Sequence, residues 1–339
     1  MAHKLRFGVL STAKIGLTKV LPAMMKGERT TVVAIASRDL AKAQEAAQTL
    51  GIPKAYGSYE ELLADPEIDA IYNPLPNHLH MPWTIKAAEA GKHVLCEKPI
   101  GLTVAEARTL VEVRNRTGVK IAEAFMIRCH PQWLRLRELV QSGHIGQLRA
   151  VTGVFSYSNL NPDNIRNRVE FGGGGVYDIG CYLIQAARFA FGAEPRRVVS
   201  LVERDPEMKT DRLASAILDF EGGQATMICG TQMIAHQRLY LLGTKGKIEM
   251  EIPFNAPPDR AMRLVIDSTG NFDGSGIEVE NFPAVDQYTL QGDNFAQAVY
   301  EGKEVSVTLE DAIGNMASIE AIFRSAESGQ WEIPFPESY

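Results

Sequence analysis

The sequence predicts an α/β protein in two parts: a domain built on a parallel sheet, then an α+β domain with an open, mainly antiparallel sheet. Three observations predict it. From Leu5 to Ala124, short β-branched or apolar runs alternate with helix-like stretches, the rhythm of parallel βαβ units. A turn of small residues follows the first run, where a dinucleotide-binding (Rossmann) fold places its phosphate loop. After about Ala124 the alternation gives way to successive extended segments. The expected division is therefore residues 1–124, a dinucleotide-binding domain, and residues 125–339, a domain for substrate and oligomerisation.

In chain order, Leu5–Leu10 reads as the first strand and Ser11-Thr12-Ala13-Lys14-Ile15-Gly16 as a turn into a helix that runs to about Met25. The spacing is that of G-x-G-x-x-G, with Ser11 and Ala13 in place of the first two glycines. Small residues still admit a pyrophosphate at the helix N-terminus. Taken alone, the match fits a plain β-turn-α connection as well. Thr31–Ala36 is the next strand, and Ser37 and Arg38 stand at its tip, where an acid would bond a ribose 2′-OH. Asp39 directly precedes the helix Asp39–Leu50 and is its expected N-cap. Ser37 and Arg38, with Lys42, therefore favour NADP, with NAD possible and a solvated Arg38 as the plainer alternative.

Asp69–Asn73 is a further strand, followed by the stiff turn Leu75–His80 and a helix over His78–Ala90, with Asn77 its expected cap. His78 and His80 have no acid or thiol nearby in sequence, so no metal site is expected. Val94-Leu95-Cys96 reads as a buried strand that delivers Glu97 and Lys98 to its carboxyl tip, with Pro99 ending it. Ligands of open α/β sheets sit outside those tips. On the tripeptide alone the plainer reading is a solvated lysine paired with Glu97; the surrounding dinucleotide fold favours a pocket. The helix Thr103–Thr117 and the strand Val119–Ala124 complete the domain.

The second part begins with a helix over Pro131–Ser142 and extended segments at Gln147–Tyr157, Arg197–Glu203, Leu213–Phe220, Gln224–Cys229, Arg238–Leu242 and Lys247–Glu251. Glu221-Gly222-Gly223 is a hairpin signal, and the alternation in Leu213–Phe220 suits a strand with one buried face. The other face is a candidate subunit interface, giving a homodimer or homotetramer. Thr308-Leu309-Glu310-Asp311 resembles a capping box before a helix reaching about Ala326.

Composition narrows the function. A net charge of −6 with scattered Lys and Arg argues against a nucleic-acid partner. No apolar stretch is long enough to cross a bilayer, and the residues before Leu5 leave no room for a signal peptide. The four cysteines (Cys96, Cys129, Cys181 and Cys229) form no C-x-x-C pair, which points to a reducing compartment. A cytoplasmic enzyme fits all of this, and so would many binding proteins.

The glycine run Gly172–Gly175 opens a helix that presents Asp178 and Tyr182 four residues apart on one face. A carboxylate and a phenol so placed could bind and protonate a polyol or carbonyl; a packing helix with a half-buried tyrosine fits the spacing equally. Together with Ser11–Gly16, Leu75–His80, Glu97-Lys98-Pro99, Glu123–Met126, Asn164–Arg166 and Gly243–Gly246, this run makes the chain resemble the Gfo/Idh/MocA oxidoreductases along essentially its whole length. The resemblance is to the branch of glucose–fructose oxidoreductase, xylose dehydrogenase and dihydrodiol dehydrogenase. Inositol dehydrogenase relatives carry histidine where Tyr182 stands.

The resemblance implies that Lys98 and Tyr182 line the active site. It implies cofactor contacts from Ser11, Thr12, Ala13, Ile15, Ser37, Arg38, Leu75, Asn77, His80, Glu97, Lys98 and Arg166, and a site role for Tyr288. The expected reaction is hydride transfer between NAD(P) and a sugar-like hydroxyl or carbonyl, with Tyr182 as general acid/base. Lys98 supplies charge, and Asp178, Arg166 and Tyr288 meet the substrate. Alternatives are a trans-dihydrodiol dehydrogenase, a 1,5-anhydrofructose-type ketone reductase, or a non-catalytic NAD(P)-binding regulator.

Overall fold

A buried apolar run starts the chain's first sheet: β1 (Leu5–Leu10) exposes only part of Arg6. The computed structural model of the protein describes residues 4–335. After β1, a π-helical turn (Gly16–Val20) widens the helix just before α1 (Leu21–Met24). Pro22 lacks the N–H that would bond the Thr18 carbonyl, so an ordinary turn cannot close there. The chain continues through β2 (Thr30–Ala36), α2 (Leu40–Leu50), β3 (Lys54–Tyr56), α3 (Tyr59–Leu63) and β4 (Ala70–Asn73). Then come α4 (His80–Glu89), β5 (His93–Cys96), α5 (Val104–Thr117) and β6 (Ile121–Glu123). These strands pair in parallel in the order β3-β2-β1-β4-β5-β6. The order reverses between β1 and β4, the switch point outside which such sheets bind ligands.

Later elements are α6 (Pro131–Gln141), β7 (Leu148–Ser158), and a π-helical turn (Val176–Gly180) leading into α7 (Cys181–Phe191). The strands β8 (Arg197–Arg204), β9 (Asp211–Phe220), β10 (Gly223–Gly230) and β11 (Gln232–Gly243) follow. They are joined by β12 (Lys247–Met250), β13 (Met262–Asp267) and β14 (Ile277–Phe282) in the order β14-β13-β12-β11-β7-β10-β9-β8. The pairing is antiparallel except between β7 and β10. One face buries Val151, Phe155, Leu218, Met227, Leu239 and Leu241. Across the other face, register aligns Val199, Ile217, Thr226, Thr152 and Tyr240 in one row, with Ile217 and Tyr240 exposed.

Two helices end the chain, α8 (Gln287–Glu301) and α9 (Leu309–Ser328). The chain divides into two compact units, Met1–Cys129 with Asp286–Ile313, and His130–Val285 with Gly314–Tyr339. The contiguous division expected at residue 124 is thus corrected: α8 returns to the first unit. Phe295 and Ala296 join the core there, with the Phe295 and Phe7 rings 6.0 Å apart. Asp293 accepts from the amides of Glu28 and Arg29 at 3.0 and 2.9 Å.

The expected element list also lacks β3, α3, β13, β14 and α8. The edge strand β14 is largely exposed and alternates Glu with apolar residues, so no buried face marks it. Asn77 is not a helix cap. It opens a 3-10 turn (Asn77–Leu79) without a side-chain capping bond, and α4 begins at His80. Asp39 does cap α2, accepting from Ala41 and Lys42 at 3.0 and 3.4 Å.

Candidate active site

In the first unit, the tips of the parallel strands gather the residues singled out from the sequence. Ser11 directly follows β1 with φ 80°, the left-handed region that a glycine would fill at no cost. Its Oγ accepts from the Ala13 amide at 3.3 Å. The turn therefore folds tightly without its first glycine, and the small residues at 11, 13 and 16 suit a pyrophosphate. After β2, Ser37 Oγ accepts from the Asp39 amide at 3.2 Å, and the Asp39 carboxylate is committed to capping. Arg38 is exposed and hydrogen-bonds the phenol of Tyr59, while Lys42 lies 3.9 Å from Asp39 Oδ2. No acid is thus left at this tip to hold a ribose 2′-OH, whereas two cations are present.

After β4, Asn73 organises the Leu75–His80 turn: its Oδ1 accepts from Leu75 and its Nδ2 donates to the His80 carbonyl at 3.1 Å. His80 is buried, with Nδ1 2.6 Å from the Pro99 carbonyl and Nε2 2.6 Å from the Leu75 carbonyl. Burial pulls its pKa down to about 4, against the two carbonyls, which favour the charged form. The ring thus braces the loops after β4 and β5 from within. After β5, Glu97 Oε1 accepts from the Tyr72 phenol at 2.6 Å, and Lys98 follows, half-buried, through a cis bond to Pro99. Burial, then the Glu97 charge, pushes the phenols of both Tyr72 and Tyr288 upward. Both therefore stay protonated donors. Tyr72 holds the candidate Glu97, yet the sequence does not flag it, because within β4 it reads as one more buried strand residue.

In the second unit, Asp178 is clasped from two sides. The Tyr157 phenol donates to its Oδ2 at 2.6 Å and Arg166 Nε to its Oδ1 at 3.0 Å. Burial, then Asp178, raises the Tyr157 pKa, so Tyr157 is a donor throughout the working range. The glycine run makes this clasp possible. Gly174 donates to the Arg166 carbonyl at 2.8 Å, and a Cβ on Gly173 would sit 2.5 Å from that same oxygen. Tyr182 is 7% exposed and packs against Phe155 and Phe254, ring centroids 5.8 and 5.5 Å away. Tyr157 is a second residue missing from the sequence candidates, since nothing local distinguishes it on β7. The π-helical turn beneath Asp178, a feature frequent at functional sites, is equally silent in sequence.

No group of three or more His, Cys, Asp or Glu among the described residues could hold a metal ion. No described helix is long and apolar enough to cross a membrane.

Comparison with known proteins places the chain in a family. Residues 5–125 match the oxidoreductase family with an NAD-binding Rossmann fold, and residues 133–249 match the Gfo/Idh/MocA C-terminal domain. The chain is 48% identical over 328 residues to an uncharacterized oxidoreductase of Rhizobium meliloti, covering 96% of this chain and 98% of the relative. It is 38% identical over 325 residues to D-xylose 1-dehydrogenase (NADP(+)) 2 of Haloferax volcanii, covering 95% and 98%. A solved 3-ketoreductase from Actinomadura kijaniata, in complex with NADP and TDP-benzene, superposes with a TM-score of 0.88 at 29% identity, covering 95% of this chain and 98% of that one. The two matched domains and the strand-tip residues lead to one assignment: the chain belongs to the Gfo/Idh/MocA family of oxidoreductases.

Proposed function

We propose that this protein transfers hydride between NADP and a carbon bearing a hydroxyl or carbonyl in a sugar or sugar-like substrate. Bound, the nicotinamide supplies the hydride chemistry. Ser11, Thr12, Ala13 and Ile15 hold the pyrophosphate, and Ser37, Arg38 and Lys42 receive the 2′-phosphate. Leu75, Asn77, Glu97, Lys98 and Arg166 complete the cofactor contacts. In oxidation, Tyr182 takes the proton of the substrate hydroxyl as hydride leaves its carbon; in reduction, it returns that proton. Lys98 lends positive charge to the reacting oxygen. Asp178 accepts from a second substrate hydroxyl, with Arg166 and Tyr288 as further contacts.

The observation that carries this reading is the arrangement after β5. Glu97 is fixed at 2.6 Å by the buried Tyr72, and Lys98 comes next, at the carboxyl end of a parallel strand. An NADP-named xylose dehydrogenase at 38% identity supports the substrate class. The test is a turnover panel of D-xylose, D-glucose, 1,5-anhydro-D-fructose and trans-1,2-dihydrobenzene-1,2-diol with NADP(H) and NAD(H). Sugar turnover with preference for NADP is expected. Preferential turnover of the aromatic diol or of the anhydro-ketone would reassign the substrate, and nucleotide binding without any turnover would favour a regulator. The exposed Ile217 and Tyr240 on the open sheet face further suggest that this face pairs with a second copy of the chain.

A further inference from the structure

The glycine run has a neighbour that the proposed chemistry leaves unused. Asp211 opens β9 and is 1% exposed. Its Oδ2 accepts from the Val176 amide at 2.6 Å, and the Gly175 amide donates to the same carboxylate. At Gly174 φ is 117°, and a Cβ there would lie 1.9 Å from Asp211 Oδ1. Only glycine lets the chain pass the carboxylate so closely. Val176 begins the π-helical turn that carries Asp178 and continues into α7 with Tyr182. Amides at a helix start lack intrahelical acceptors, and a buried acid from another strand supplies one here.

We propose that Asp211 is a positioning residue of the active site: it pins the start of the helix that carries Asp178 and Tyr182 and so sets the pose of both. The inference rests on the reading of those two side chains as substrate-facing. Groups facing Asp211 are Arg204 on β8, Tyr157 on β7, Cys229 on β10 and the amides of the glycine run. Burial is the largest influence and pushes the carboxyl up to about 7, with the amides and Arg204 opposing. Protonation turns one acceptor oxygen into a donor and loosens the grip on the helix start.

Asp211→Asn conserves size, keeps one acceptor oxygen and cannot titrate. With the best sugar of the panel, kcat is expected to fall about tenfold or more while KM for NADP stays within about twofold, and the limb of the kcat–pH profile near neutrality should disappear. Amide exchange over residues 174–180 should accelerate about tenfold, with α5 unchanged. Unchanged exchange overturns the proposal whatever Tyr182 does. Faster exchange with parental kcat and pH profile overturns it too, leaving a stability cap only.

If that variant does not fold, the parent protein decides. Exchange at residues 175–176, corrected for intrinsic rate between about pH 5.5 and 8.5, should change protection relative to α5. A constant ratio overturns the proposal. Failure of the underlying reading looks different: parental turnover in Tyr182→Phe would remove Tyr182 from the chemistry and leave the exchange result standing.

Discussion

Replacing Asp178 by asparagine isolates what the clasp contributes. The carboxylate accepts from the Tyr157 phenol at 2.6 Å and from Arg166 Nε at 3.0 Å. An amide has one acceptor oxygen, so it can serve only one of the two donors as before. If its oxygen faces Tyr157, its Nδ2 confronts the guanidinium. Arg166, 41% exposed, then swings to water at a loss of about 0–1 kcal/mol. The remaining phenol bond loses its charged acceptor, about another 1 kcal/mol. If the amide turns over, the Tyr157 hydroxyl can rotate to accept from Nδ2, with a similar net loss. The total is about 1–2 kcal/mol, with kcat/KM for the sugar down about 10- to 100-fold because the second substrate hydroxyl loses a charged acceptor. Urea unfolding of the parent, Asp178→Asn, Tyr157→Phe and the double variant gives both single costs and their coupling, expected at about 0.5–3 kcal/mol. Additivity within about 0.3 kcal/mol, or a single cost below about 0.5 kcal/mol, would refute the clasp.

Other perturbations probe separate parts of the molecule. Tyr182→Phe should lower turnover about 10²- to 10⁴-fold with NADP affinity nearly intact, and Lys98→Met should be at least as damaging, both read from steady-state rates beside nucleotide titration. The buried His80 and His130 are each drawn down to about 4, chiefly by burial, so their stabilisation is complete above about pH 6.5 and lost as pH falls toward 4. Asp211, raised to about 7, acts oppositely, losing stability as pH rises from about 4 to 7. One histidine's effect is left over, so urea midpoints should fall on acidification, by up to about 3 kcal/mol in stability, and fall further in Asp211→Asn; a midpoint that rises would contradict this. Ser11→Gly should relieve the strain at φ 80° and gain about 0.5 kcal/mol after loss of the long Oγ bond to Ala13, as thermal unfolding would report. Ile217→Lys, at an exposed position on the open sheet face, should leave the fold intact and yield monomers by light scattering; a parent already monomeric would dispose of the paired face.

Much of the fold is legible in the sequence because its strands are short, apolar and punctuated. The run Val94–Cys96 is stopped by Pro99 three residues on, Asp39 and Thr103 cap the helices that follow them, and Gly222 at φ 79° turns the β9–β10 hairpin. What is not legible lacks a local period. β3 is three half-buried residues, and the exposed β14 shows no buried face. The return of α8 depends on Phe295 meeting Phe7 far away in sequence, which no window of the chain contains.

The candidate site divides along the same line. Residues that end strands or follow glycines, such as Lys98 and Asp178, are visible because backbone punctuation marks them. Residues that hold those groups in place are not. Tyr72 and Tyr157 sit inside strands, and Asp211 stands at a strand's start, each linked to its partner only through pairing across a sheet or a packed loop. His80 illustrates the converse: its place in a motif suggests ligand contact, yet both ring nitrogens face carbonyls of its own fold. A motif therefore marks positions that the site requires without saying which face the ligand and which face the scaffold. What separates them is the polar atoms: a buried side chain whose every polar atom is already held by its own fold, as both ring nitrogens of His80 are, has little left to offer a ligand.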